Sequence, residues 1–159
     1  MIHSSSPRLL ALLALLPLTS HVALADGIRC PSDAPDQVRL AAKELRRYVY
    51  VRTGELLPIG AEATGRTISL RIDPALGAET YRLKSDGDAL AITGGSPVAV
   101  LYGAYDLAGK FGMRFYLHGD AAPDGKIPFA LPTLDETHAP LFVTRGIQPF
   151  HDFAEGPDW

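Results

Sequence analysis

Apolar and polar positions recur along this chain with two different periods, and the switches between them divide it into elements. Residues 27–30 read as a short β-like start. Val38, Ala41, Ala42, Leu45, Tyr48 and Val49 then recur at helical spacing, while Arg39, Lys43, Glu44, Arg46 and Arg47 face away. That pattern predicts an amphipathic helix. Ser32 or Asp33 can cap it, Pro35 suits its first turn, Asp36 complements the positive end of its dipole and Gly54 is a natural stop. Extended runs follow at 57–59, 67–72 (TISLRI), 81–84 and 89–93, the last two flanking Ser85-Asp86-Gly87-Asp88. An Asp-Gly turn between alternating runs signals a hairpin, because Gly and Asp tolerate the positive φ such turns need. Ser96 then caps a second helix with Pro97 in its first turn, and Val98, Leu101, Tyr102, Tyr105, Leu107 and Ala108 supply its apolar face. Gly112 ends this helix, and 113–117 (MRFYL) reads as a last strand.

Two helices and about five strands pack most simply as an α/β (α+β) unit, with both helices on one face of a small mixed sheet. Each large apolar side chain buried contributes about 1.5–3 kcal/mol, so the two helical faces decide whether the domain folds. Between residues 119 and 140, Asp120, Pro123, Asp124, Gly125, Pro128, Pro132 and Pro140 interrupt regular structure, which predicts a linker or a wall-hugging connection after a domain at 26–118. Residues 141–147 (LFVTRGI) begin a new extended run.

The N-terminus changes the picture. Arg8, the apolar run 9–18 (LLALLALLPL) and Ala23-Leu24-Ala25 form the layout of a secretory signal over 1–25. Pro17 and Ser20 interrupt it too early for a spanning helix, which needs roughly 20 apolar residues. Cleavage after Ala25 removes Arg8 and no acidic residue, taking the net charge from −3 to about −4. Nothing in that balance points to nucleic acid or an anionic membrane. Cys30 is the only cysteine, so no internal disulfide forms, and Arg29 before it does not fit a lipoprotein cleavage site. The sequence has no Asn and so no N-glycosylation sequon. Its preference for Arg over Lys suggests a GC-rich bacterial gene, with the periplasm or the exterior as destination.

Candidate chemistry is sparse. Gly94-Gly95-Ser96 lacks the Lys of a Walker loop and the spacing of a dinucleotide fingerprint, so a tight strand-to-helix turn explains these glycines. His118, His138 and His151 show no metal-ligand spacing, and no Gly-x-Ser-x-Gly elbow occurs. No cofactor, metal or catalytic residue is assigned. The one dense constellation is Arg145, Gln148, His151, Asp152, Glu155, Asp158 and Trp159. Sugar sites mix such hydrogen-bonding side chains with aromatic platforms, because hydroxyls need donors and acceptors while the pyranose face is apolar. Arg145, His151, Asp152 and Trp159 are therefore candidate substrate-binding residues.

Residues 90–95 (LAITGG), 101–107 (LYGAYDL) and 111–116 (FGMRFY), with Leu45, Tyr48, Thr53-Gly54 and Leu57-Pro58-Ile59 before them, resemble the accessory domain that precedes the barrel of several glycosidases. Those are the β-hexosaminidases of glycoside hydrolase family 20 and the α-glucuronidases of families 67 and 115. The resemblance implies a zincin-like fold without zinc chemistry, packed on a (β/α)8 barrel whose first strand starts near Arg145-Gly146. Residues 141–159 would then be the truncated start of that barrel. Arg145 resembles the arginine that binds substrate hydroxyls in hexosaminidases, and Asp152 falls where α-glucuronidases carry an acidic residue in a Trp-Asp-Asn motif, although its neighbours here are His151 and Phe153. The expectation is a non-catalytic domain of a secreted glycoside hydrolase that meets carbohydrate through the barrel. A free-standing periplasmic carbohydrate-binding or docking module, or a small enzyme of another kind, are the alternatives.

Overall fold

The computed structural model describes residues 25–60, 63–142 and 144–146. The signal-peptide reading of 1–25 lies outside them apart from Ala25. The elements in chain order are β1 (Gly27–Arg29), α1 (Asp36–Thr53), β2 (Ile59–Gly60), β3 (Thr67–Ile72), β4 (Tyr81–Asp86), β5 (Ala89–Gly94), α2 (Pro97–Lys110), β6 (Arg114–Tyr116), β7 (Gly119–Ala121) and β8 (Asp135–His138). Six strands form one mixed sheet in the order β2-β1-β3-β5-β4-β8, and β6 and β7 form a separate two-stranded ribbon. The first four in that order run parallel, whereas β4 is antiparallel to both β5 and β8. No helix among the described residues is long and apolar enough to cross a membrane.

Register explains the core. Ile28 lies opposite Ile68 and Ile68 opposite Leu90, while Leu70 lies opposite Ile92 and Ile92 opposite Leu83. Because side chains alternate across a strand, these form two apolar rows on one sheet face. Both rows are buried against Val38, Leu45 and Val49 of α1 and Val100, Ala104 and Leu107 of α2 in a single cluster. The two helices therefore share one face, the arrangement expected as the simplest packing of these elements. Thr67 and Ser69, the polar positions of the TISLRI run, are buried as well. Their strand is interior to the sheet, where neighbours on either side shield even its second face.

The helix ends follow local chemistry, with one correction. Pro35, not Ser32 or Asp33, is the N-cap of α1, and no side chain caps it. The proline ring fixes the extended entry, and the Pro35 carbonyl accepts from Val38 and Arg39. Gly54 closes the helix at φ 84°, donating to the Tyr50 carbonyl at 2.8 Å. Ser96 caps α2 as expected, its Oγ accepting from Ala99 N at 3.3 Å. In the hairpin only Gly87 takes positive φ, so Asp88 does not share that strain.

The apolar face assigned to α2 needs a larger correction. Its buried residues are Ala99, Val100, Gly103, Ala104, Leu107 and Ala108, whereas Tyr102 is exposed and Val98, Leu101 and Tyr105 are half-buried. The helix is apolar nearly all round, so periodicity cannot choose its face. Close approach to the sheet chooses it instead. A Cβ at Gly103 would come within 2.6 Å of Ile92 Cγ2, and one at Gly94 within 2.5 Å of Val100 N.

The expected last strand and linker are also revised. Residues 114–116 do not join the main sheet. Gly112, at φ 97°, turns the chain so that Phe115 packs edge-on against Tyr48 and Tyr105, at 5.4 and 5.2 Å between ring centroids. Of the two readings of 119–140, the structure has the connection that hugs the domain rather than a linker, because these residues carry β7, the buried Phe129 and β8. Arg52, itself buried, holds this return: Nε donates to the Phe111 carbonyl at 2.9 Å, and one terminal nitrogen donates to the Pro123 and Gly125 carbonyls at 2.9 and 2.8 Å. Farther on, Ser85 N donates to the Leu134 carbonyl and Ser85 Oγ to the Pro132 carbonyl, guiding β8 onto β4. The described part of the next expected strand, residues 141–142 and 144–146, forms none.

Arg52→Ala is expected to lower stability by about 3 kcal/mol, because it removes charge-assisted bonds to three carbonyls, the one to Phe111 buried. Gly103→Ala is expected to cost about 2 kcal/mol through overpacking. Denaturant midpoints measure both. A change within error for Gly103→Ala would refute the close helix–sheet approach.

Candidate functional site

The sheet order brings together residues that sequence spacing keeps apart. Tyr81 begins β4 and pairs with His138, the last residue of β8. Their rings stack at 5.1 Å between centroids and 21° between planes. Alternation along β8 turns Glu136 and His138 toward α2, while Asp135 faces Arg82 and Lys84 at 2.6 and 3.5 Å on the other side. On the α2 side, Tyr81 Oη donates to Asp106 Oδ2 at 3.2 Å, and His138 Nε2 lies 3.1 Å from Glu136 Oε2 and 3.6 Å from Asp106 Oδ2. Lys110 Nζ reaches the same Glu136 oxygen at 2.8 Å.

Beside this cluster opens a hollow of about 450 Å³ lined by Glu79, Tyr81, Tyr102, His138, Pro140 and Arg145. Arg145 is the one candidate site residue that the structure describes. It pairs with Glu79 at 2.8 Å and donates to the Phe142 carbonyl at 3.2 Å. His151, Asp152 and Trp159 lie outside the described residues. The hollow thus combines two tyrosine rings, one exposed, with a guanidinium–carboxylate pair and an imidazole. Such a mixture can hold a small polar ligand by hydrogen bonds and ring contact.

The electrostatics argue against acid–base hydrolysis by this cluster. A glycosidase general acid needs a carboxyl pKa raised toward the working pH. Glu136 is shifted the opposite way: hydrogen bonds from Lys110 first and His138 second hold its carboxyl below the ordinary glutamate value. Tyr81 is pushed up to about 12, mainly by burial and then by the Asp106 charge, so it stays a neutral donor. Asp106, Glu136 and His138 bring three possible ligand atoms within 4.8 Å of one another. The Lys110 ammonium already occupies the Glu136 oxygen, so the trio is better explained as an ion-pair network than as a metal centre.

Composition hid these residues. The period-two pattern of Asp135-Glu136-Thr137-His138 was available, but the surrounding prolines and aspartates made the stretch read as a connection. Glu79, Tyr81 and Tyr102 carry no motif and become neighbours of His138 only through the β4–β8 pairing.

No family model matches the chain, and no curated protein matches it. Among solved structures the chain is similar to parts of glycoside hydrolases. The Streptomyces plicatus N-acetyl-β-hexosaminidase is 27% identical at a TM-score of 0.44, over 52% of this chain and 16% of that one. The GH20 β-N-acetylhexosaminidase of Streptomyces coelicolor A3(2) is 25% identical at 0.47, over 63% and 19%. A GH138 enzyme targeting pectin rhamnogalacturonan II is 17% identical at 0.42, over 55% and 9%. The chain spans less than a fifth of the length of each of these proteins.

In an NMR titration, the Glu136 carboxyl is expected to ionise below its ordinary value of 4.5 and to move upward in Lys110→Met. The stability this pairing gives is present above the unfolded value and is lost as pH falls through the lower folded one. An unmoved titration in Lys110→Met would show that the ammonium is not what holds it down.

Proposed function

We propose that this chain is a non-catalytic N-terminal domain of an exported glycoside hydrolase, packed against a catalytic barrel. The observation that carries this reading is the exposure of large apolar side chains in the hollow's lining and in the residues that directly follow Pro140. Leu141 and Phe142, which follow β8 by a few residues, are 93% and 70% exposed, and Tyr102 at the hollow is 40% exposed. Exposed large apolar side chains this close in the chain to a hollow suit an interface. The resembling segments 90–95, 101–107 and 111–116 support the reading, since they form β5, α2 and the turn into β6. Their Gly94 and Gly103 are the residues whose missing side chains let helix and sheet touch. The glycosidic bond would be cleaved by carboxylates elsewhere, on a β-hexosaminidase-like or α-glucuronidase-like barrel, with residues 1–25 acting as the export signal. Arg145, His151, Asp152 and Trp159 would contribute to binding the carbohydrate. A second reading, a carbohydrate-binding module, is favoured by the hollow itself, with Tyr81 and Tyr102 beside Glu79, His138 and Arg145.

The purified chain is expected to release no chromophore from a panel of aryl glycosides, with or without a chelator, and the coding DNA is expected to continue in frame into a barrel. Metal-independent turnover would overturn the non-catalytic role. A stop codon after Trp159 would favour the module.

A further inference from the structure

The far edge of the molecule presents a second surface. Arg46 and Arg47 are adjacent in sequence but serve different surroundings. Arg47 faces Glu44 and Asp120, each at 3.4 Å, beside the aromatic cluster. Arg46 turns the other way, to a hollow of about 410 Å³ between α1, the 30–32 loop and the edge strand β2. Arg39, Lys43 and Arg46 form the rim of this hollow, and Cys30, Pro31 and Ile59 give it an apolar floor. Positions 39, 43, 46 and 50 fall on one helical stripe. At 1.5 Å per residue it extends about 16 Å. It ends at the half-exposed Tyr50, whose ring carries the Lys126 ammonium at 5.3 Å. Asp36 and the Ala34 carbonyl engage Arg39, whereas no carboxylate among the described residues engages Lys43 or Arg46.

Three cations along one stripe, with Lys126 at its end, are a local departure on a chain of net charge −3. The hollow falls within the ~300–1,000 Å³ range of small-ligand sites. An apolar floor under a guanidinium rim matches a sugar ring bearing a carboxylate, since Arg receives a planar carboxylate through paired N–H bonds. The row of charges beyond it suits further carboxylates along a polymer. We infer that the Arg39–Lys43–Arg46–Tyr50 face of α1 binds a uronate-containing polysaccharide, with one uronate seated in the hollow at β2. The choice of carbohydrate over other polyanions rests on the glycoside-hydrolase reading above.

The test is calorimetric titration of the full chain with polygalacturonate, with neutral xylan, dextran sulfate, duplex DNA and phosphatidylglycerol vesicles as parallel probes. Polygalacturonate is expected to bind and neutral xylan is not. Lys43→Gln and Arg46→Gln should each weaken binding about tenfold, the loss of one charge-assisted contact. Lys43→Arg should retain it, and Arg71→Gln, on the opposite sheet face, should leave it unchanged. If Arg46→Gln fails to fold, the Lys43 pair of variants decides alone. No binding of polygalacturonate, equal binding of any other probe, or an equal loss in Arg71→Gln overturns the inference. A gene that continues into a barrel while the chain ignores polygalacturonate sinks this inference and leaves the domain assignment standing. Selective polygalacturonate binding by a chain whose gene stops at Trp159 does the reverse.

Discussion

One buried guanidinium decides the shape of this molecule. Arg52 ends α1 inside the protein, and its donors tie the carbonyl that closes α2 to two carbonyls of the returning chain. A buried charge without such partners costs several kcal/mol, so the return must lie where those acceptors meet the side chain. Ile127 N adds a bond back to the Arg52 carbonyl, and Lys126 Nζ bonds the Tyr50 and Val51 carbonyls at the same helix end. Phe129 then drops into the core beside Phe111, with the Arg66 guanidinium 4.6 Å above its ring. Only with this segment fastened does β8 reach β4 and set His138 on Tyr81.

What could be read in the sequence was whatever local chemistry governs. The α1 face, the TISLRI strand, the Asp-Gly hairpin and the Ser96-Pro97 helix start all depend on residues within a turn or two of one another, and the structure has them. What long-range contacts select was hidden. The buried face of α2 is chosen by a glycine against Ile92, a residue with no side chain for an apolar pattern to register. The departure of 114–116 from the sheet is chosen by Tyr48 and Tyr105. Arg52 read as one more charge near a helix end, because nothing nearby revealed the three carbonyls it would meet. Of the site, only Arg145 was named in advance among the described residues; Glu79, Tyr81, Tyr102 and His138 are joined by topology alone.

The site so assembled is held together by ion pairs and hydrogen bonds among its own side chains. Its carboxylates are spent on Lys110, His138, Tyr81 and Arg145, and the shift on Glu136 runs away from general-acid chemistry. The exposed Leu141 and Phe142 give the same surface an apolar margin. The opposite edge carries cations over an apolar hollow. The two surfaces lie at opposite edges of one sheet whose single face both helices cover.

All of this requires that residues 119–138 belong to the folded unit. Amide hydrogen exchange across the full chain tests that requirement. The account predicts that Ile127 and Leu134, together with the β4–β8 ladder, are protected alongside the amides of β5 and are released with them in one cooperative opening. Rapid, unprotected exchange throughout 119–138, with β1 to β5 still protected, would contradict it.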